Sequence, residues 1–330
     1  MKPFKYTRVT DATAAVRNVS ANKDARFLAG GTNLLDLMKE GVDDPTELID
    51  IARLPLAQVR SANGGVQIGA LAKNTDTANH PLIRQNYPML TQAILAGASP
   101  QIRNMATNGG NLMQRTRCTY FYDVSTPCNK REPGSGCGAM EGINRNHAVF
   151  GWSQKCVAVH PSDMCVALLA LDAVVKVQDP SGKQRSIPFS EFHRLPGDAP
   201  ENDNNLKHGE LITAIELPKS NVAAHSYYLK IRDRSSYAFA LVSVAAGLEM
   251  NGSTIRSCRI AMGGVAHKPW RAAAAEKYLT GKTATDENFR AAAEAEMNAA
   301  KPLEHNKFKV ELGKRAIVHA LRRAANPKTV

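Results

Sequence analysis

Four cysteines are the first residues whose chemistry asks for an explanation. Cys118, Cys128 and Cys137 fall in one stretch rich in Pro, Gly, Ser, Thr and Asn, "CTYFYDVSTPCNKREPGSGCGAM", and Cys156 follows after 18 intervening residues. The spacing is C-x9-C-x8-C-x18-C. Structural zinc takes its thiolates in close pairs, C-x2-4-C, so that one tight turn presents two of them together; no such pair exists, which disfavours zinc. A disulfide framework suits a short secreted chain, and this chain is long enough to bury a core instead. An iron–sulfur cluster needs four thiolates and accepts them from an irregular loop, provided that backbone N–H groups lie near the sulfurs. On spacing alone, a cluster, disulfides and inert thiols all stay open. Cys165, in "DMCVALLAL", and Cys258, in a strand-like segment, read as packing residues. His147 and His160 could replace a cluster cysteine, although a lone histidine is more often simply hydrogen-bonded.

Two glycine-rich turns are the second candidate. In "LAGGTNLL", residues 28 to 35, paired glycines let backbone approach backbone, and the helix start that follows presents free N–H groups, the physical recipe for a phosphate site. A tight strand-to-helix turn with nothing bound explains the same pattern, because the fingerprint G-x-G-x-x-G is absent. The second turn, "ATNGGNLMQRT", shifts the balance. There Gly109 and Gly110 remove bulk, while Thr107 and Asn111 offer side chains able to donate to a diphosphate or ribityl chain. Two such turns suit a long, phosphate-bearing ligand, although spacing does not name it.

Local patterns place these residues on elements. "ARFLAGGTNLLDLMKEG" reads as strand, Gly-Gly turn and amphipathic helix, with Thr32 or Asn33 to cap it and Gly41 to end it. "ELIDI" is a strand, and "VRSANGGVQIGAL" a hairpin around Asn-Gly. A helix is expected near "PMLTQAILAGA". "CVAVHPSDMCVALLALDAVVKVQDPSGKQRSIPFSEF" suggests an apolar helix, a strand, a turn and a second strand, and "LPGDAPENDNNLKHGE" a surface loop. Beyond it come the strands "YYLKIR", "FALVSVAAGLEM" and "IRSCRIAMGGV", and then two Ala-rich helical stretches, with a domain boundary near residue 222.

The whole composition narrows the class. The chain has 330 residues and is 43% hydrophobic, ordinary for a protein that buries a core. Its longest apolar runs fall short of the roughly 18 residues of a membrane span, so no membrane insertion is expected. The N-terminus has no apolar h-region, hence no secretory signal of its own is expected. The net charge of +12, from 42 Lys+Arg against 30 Asp+Glu, is spread along the chain. Without a zinc-finger or RRM-like pattern, it argues for a solvated basic face or a docking surface rather than nucleic-acid binding.

The order of "LAGGTNLLDLMK", "GALAKNTD", "ASPQIRNMATNGGNL", "HPSDMCVALLALDA", "KIRDRSSYAFALVSVAAGL" and "GGVAHKPWRA" resembles the FAD-binding subunit of molybdenum hydroxylases, the xanthine dehydrogenase family. The resemblance covers nearly the whole chain. More narrowly, the insert from "QRTRCTYFYD" through "CNKREPGSGC" looks like that of the flavoprotein subunit of bacterial periplasmic aldehyde oxidoreductase, which adds a [4Fe-4S] cluster. In the wider family no cysteine loop separates "GGN" from the "SD" segment.

The resemblance implies an α+β fold. An FAD-binding domain of the vanillyl-alcohol-oxidase (PCMH) type would occupy residues 1–222, with lobes at about 1–57 and 58–222 and the cysteine loop at about 115–157. A smaller C-terminal α/β domain would occupy 223–330. By the same resemblance Leu28, Ala29, Gly30, Gly31, Thr32, Asn33, Leu34 and Leu35 would cradle the FAD diphosphate, and Thr107, Gly110 and Asn111 would form the second contact. Asp163 would be the carboxylate near the nucleotide and Lys230 a cation near the flavin. Cys118, Cys128, Cys137 and Cys156 would hold the [4Fe-4S] cluster.

No catalytic residue is then expected on this chain beyond the flavin. The resemblance implies a heterotrimer with a large molybdenum-cofactor subunit, where aldehydes are oxidised to carboxylic acids, and a small [2Fe-2S] subunit. This chain would be the electron outlet to an external acceptor. Export to the periplasm with a signal-bearing partner is implied too, with the cytoplasm as the alternative. The rival readings are a free-standing FAD-dependent reductase of the same flavin fold, which leaves the cysteine loop unexplained, and a zinc- or nucleic-acid-binding module.

Overall fold

The computed structural model describes residues 1–327 and contains three sheets, each with its own helices. The first is parallel, with β1 (Lys5–Arg8), β2 (Ala25–Leu28) and β3 (Glu47–Asp50) in the order β1-β3-β2. A parallel pair needs a crossover, and the helix Ala12–Ala21 supplies one between β1 and β2. Asp11 caps that helix, its carboxylate accepting from Ala14 N at 2.7 Å, and Ala15, Val16 and Val19 turn inward. The helix Leu34–Lys39 leaves the Gly-Gly turn as expected, and Gly41 beyond its end takes φ +69°. Asn33 occupies the cap position but makes no capping hydrogen bond.

The second sheet is antiparallel and has five strands: β4 (Val59–Ala62), β5 (Gly65–Gly69), β6 (Val174–Gln178), β7 (Gln184–Pro188) and β8 (Leu211–Leu217), ordered β4-β5-β8-β6-β7. Asn63 and Gly64, at φ 50° and 76°, form the turn that the Asn-Gly pair predicts. The helices Pro88–Ala96 and Asp163–Ala170 share one hydrophobic core with this sheet. Every residue of the latter is buried, which explains its lack of a polar face. Ser162 caps it through Cys165 N.

The third sheet is antiparallel: β9 (Ser226–Ile231), β10 (Val242–Asn251), β11 (Thr254–Gly263) and β12 (Trp270–Arg271), ordered β12-β11-β10-β9. Three helices follow it, Ala273–Leu279, Asp286–Met297 and Phe308–Ala325, where two Ala-rich stretches were expected. Gly281, at φ +81°, separates the first pair, and Thr285 caps the second helix. The third is the basic C-terminal stretch, which buries Ala316, Ile317, Ala320 and Leu321 and leaves most of its charges in solvent. Ala245 and Ala261 of this sheet enter the same core as the helix Asp163–Ala170, so the C-terminal sheet is packed onto the preceding elements.

Between Leu112 and Asp163 the chain has no strand of a sheet and only two one-turn helices, Thr119–Tyr122 and Gly138–Glu141. Phe121, fully buried, pins this segment beside Leu37 and Cys128. Among the described residues no helix is long and apolar enough to cross a membrane.

Candidate functional site

The first Gly-Gly turn follows β2, so it emerges from the parallel sheet and leads into a helix. From Ala29 to Leu34, no backbone N–H donates to another described protein group; the first to do so is Leu35 N, bonded to Gly31 O at 3.2 Å. A run of six unspent amides beside a helix start, with Gly31 in the left-handed region at φ +72°, is a concave donor array suited to an anion. Gly30 has a packing reason of its own. A Cβ there would stand 2.2 Å from Met105 O, because this turn lies against the chain that leads into the second glycine turn. Residues 27–34, Gly109, Gly110, Met113 and Arg115 share the wall of a cavity of about 430 Å³ with residues 201–204, Leu206 and residues 210–212. That volume is within the range of cofactor pockets.

The second turn is more occupied than its sequence implies. Asn108 N and Gly109 N donate to Ala72 O and Ala70 O at the end of β5, and Gly110 N donates to Thr107 Oγ1 at 3.2 Å. Asn111 gives its amide to Asn74 Oδ1 (2.8 Å) and accepts from Gln114 and Ser162. Thr107 and Asn111 therefore shape the site through bonds within the protein, and Gly109 and Gly110 line the cavity.

Asp163 and Lys230 lie together but face each other. Lys230 Nζ stands 2.8 Å from Asp163 Oδ2 and donates also to Ala96 O, and Tyr228 OH donates to Asp163 Oδ1 at 2.6 Å. The Lys230 charge is thus already neutralised by a buried carboxylate. Asp163 also borders a second, larger cavity of about 640 Å³, lined by Thr116–Thr119, Arg145, His147, Ser162 and a return loop at 238–241.

The four loop cysteines converge. Cys118, Cys128, Cys137 and Cys156 line one small cavity, with Cys128 and Cys137 paired in a short bridge, and none is in a disulfide. Burial pushes the Cys118 thiol up to about 12 and the Cys156 thiol up to about 11, so each is a neutral S–H group unless a cation claims the sulfur. Two nitrogens lie near these sulfurs: Ala158 N donates to Cys156 Sγ at 3.5 Å, and His147 Nε2, whose role follows its tautomer, lies 3.1 Å from Cys118 Sγ. Four thiols with N–H groups nearby are a donor set that fits an iron–sulfur cluster.

A single zinc would need these sulfurs close together. Among the described residues the one trio of His, Cys or carboxylate ligand atoms lying within 4.8 Å of one another is His160, Cys165 and His193, so no three of the four loop sulfurs come that close. Sulfurs around a single zinc would stand roughly 3.8 Å apart, from a Zn–S distance of about 2.3 Å.

The His160–Cys165–His193 trio does not read as a ligand set. Ser162 N donates to His160 Nδ1, which puts the His160 proton on Nε2. His193 Nε2 lies 2.9 Å from Leu112 O, which only accepts, so the His193 lone pair is on Nδ1. The two ring atoms left without partners are then a donor and an acceptor, whereas a metal requires two lone pairs. Cys165 (0% exposed) and Cys258 (2%) lie in apolar cores.

A buried charge network that sequence reading missed ties the cysteine loop to the glycine turn. Arg115 N donates to Asn33 Oδ1 at 2.9 Å, and Arg115 Nε stands 2.7 Å from Asp203 Oδ2. Lys130, 2% exposed, reaches Asp203 Oδ1 and donates to Pro200 O. Burial alone would raise the Asp203 pKa, but Lys130 and Arg115 outweigh it and hold the carboxyl well below its usual range. Asp203 lies in the stretch read as a surface loop. Its only sequence signal is an acidic residue in a segment of low hydrophobicity, which any surface loop shares.

Two family models match consecutive parts of the chain. Residues 2–220 match the family described as the FAD binding domain in molybdopterin dehydrogenase, and residues 227–326 the CO dehydrogenase flavoprotein C-terminal domain. The chain is 49% identical over 325 residues to the aldehyde oxidoreductase FAD-binding subunit PaoB of Escherichia coli K12, covering 98% of this chain and 99% of that protein. It is 29% identical to the glyceraldehyde dehydrogenase medium chain of Sulfolobus acidocaldarius, over 86% of this chain and 83% of that one. The solved carbon monoxide dehydrogenase of Hydrogenophaga pseudoflava superposes with a TM-score of 0.77 at 27% identity, covering 98% of this chain and 97% of that one.

Proposed function

Because the chain belongs to the family of FAD-binding domains of molybdopterin dehydrogenases, we propose that it is the FAD- and [4Fe-4S]-containing electron-transfer subunit of a heterotrimeric aldehyde oxidoreductase. Substrate oxidation in this family is the work of partner chains, so the task of this chain is to hold redox groups rather than to perform acid–base chemistry on substrate. FAD, when bound, accepts electrons singly and releases them singly or in pairs.

The amides of Ala29 through Leu34 hold the diphosphate, with Gly30 and Gly31 keeping the turn open and Gly109 and Gly110 forming the opposite wall. Asp163, Lys230 and Tyr228 lock the start of the helix Asp163–Ala170 against β9, which keeps the C-terminal sheet in register with the flavin domain. Asn33 and Arg115 carry the same rigidity from the glycine turn into the cysteine loop. In this reading Cys118, Cys128, Cys137 and Cys156 hold the cluster, and export to the periplasm occurs with a signal-bearing partner. Cell fractionation of the tagged complex tests the second point.

The observation that carries the proposal is the convergence of four cysteines from one loop, none in a disulfide, on one cavity. The experiment is quantification of iron, acid-labile sulfide and flavin on protein purified without oxygen, beside Cys128→Ala. Iron and sulfide near four per FAD, lost in the variant while FAD stays, support the reading. Full flavin with no iron in the unsubstituted protein would leave the loop as idle thiols and overturn the cluster assignment.

A further inference from the structure

This inference rests on the cluster reading above. His147 is buried, at 5% exposed, and its Nε2 stands 3.1 Å from Cys118 Sγ. The backbone that carries the ring is anchored to the C-terminal region, outside the cysteine loop. The His147 carbonyl accepts from Asn306 Nδ2 (3.1 Å) and from Lys309 Nζ (3.0 Å), both contributed by the C-terminal region. Lys309, itself fully buried, donates a second bond to Gly264 O at 2.7 Å, which fixes that corner to the end of β11. His147 N donates to Asn144 O, and Asn144 Oδ1 accepts from His305 N at 3.0 Å.

A metal-bound thiolate has lone pairs and no proton, so only the tautomer with hydrogen on Nε2 is compatible with this contact; the other would set lone pair against lone pair. We infer that His147 is a positioning residue that donates its Nε2–H to the Cys118 thiolate and thereby raises the potential of the cluster. The physical reason is that an N–H···S bond withdraws charge from the sulfur and favours the reduced, more negative state. Cys118 lines both the small cavity and the 640 Å³ cavity, and His147 lines the latter, so the ligand so tuned forms the wall between the two spaces.

The test uses the intact heterotrimer, labelled with ¹⁵N-histidine and reduced without oxygen. Pulsed EPR of the reduced cluster should detect a histidine nitrogen and one strongly coupled exchangeable proton. In His147→Leu both couplings vanish and the midpoint potential shifts downward, while FAD content is unchanged; His147→Gln, whose amide also donates, recovers part of the shift. A cluster whose potential and couplings are the same in His147→Leu as in the unsubstituted complex overturns the inference and leaves the cluster reading intact. If the variant loses its cluster, the unsubstituted spectrum decides, and the absence of a histidine coupling there overturns the inference. A heterotrimer with no iron in this chain overturns the cluster reading, and this inference with it.

Discussion

Lys230 Nζ stands 2.8 Å from Asp163 Oδ2, with side chains only 4% and 6% exposed, and the pair joins β9 to the first turn of the helix Asp163–Ala170. Removing one partner of a buried pair strands the other charge. Lys230→Met should therefore cost about 3–5 kcal/mol in urea unfolding. Lys230→Met combined with Asp163→Asn should recover part of that loss, because no bare carboxylate then remains. Equal destabilisation by the single and double variants would show that the charge pairing is not what the helix start depends on.

Gly30→Ala tests the contact between the two glycine turns. Its Cβ would meet Met105 O at 2.2 Å, and a backbone oxygen has no rotamer by which to withdraw. The expected cost is about 1–3 kcal/mol by overpacking, with a lower thermal midpoint and loss of bound flavin as the amide array is displaced. Retention of full flavin at an unchanged midpoint would contradict this placement of the turn.

The six cysteines should divide four to two. Cys137→Ser should abolish iron binding, as should any change at Cys118, Cys128 or Cys156, whereas Cys165→Ala and Cys258→Ala should keep full iron. The latter two should lose stability by roughly 1 kcal/mol each, since each sulfur fills apolar core. Metal analysis of the set decides the matter, and iron loss in Cys258→Ala would sink the division.

Stability should fall on the acid side. Burial pushes His193 and His267 down to about 4, against an ordinary value of 6.5. Between those values the unfolded chain binds more protons than the folded one, so stability is fully present above about pH 6.5 and is lost as pH falls toward 4. A loss on the order of 5 kcal/mol between pH 7.5 and 4.5 is expected from the pair. His193→Gln should flatten the slope, and a thermal midpoint that stays level from pH 7 to 4.5 would count against neutral burial.

Much of the scaffold was legible because it is written in local pattern. The Asn63–Gly64 turn, the strand Glu47–Asp50 and the glycine-started helix Leu34–Lys39 each follow from a few neighbouring residues. The central strand β8 was not legible. It lies between strands on both sides, so Leu211 to Ile215 are all buried and show no alternation, and a polar loop precedes it. The second glycine turn was found, but its Asn111 proved to be spent on Asn74 and Ser162, which lie 37 and 51 residues away.

By itself, the sequence determined which elements form and which atoms are available for chemistry: paired glycines at two helix starts and four thiols in one strandless loop. Periodicity, capping and turn chemistry act over a few residues, so a linear reading reaches them. Only the tertiary structure decided who meets whom. Lys230 reaches Asp163 across 67 positions, Arg115 reaches Asn33 across 82, and Lys309 holds the carbonyl of His147 across 162. Those contacts depend on how three sheets pack against one another, and that packing is set by the burial of apolar faces summed over the whole chain rather than by any local signal.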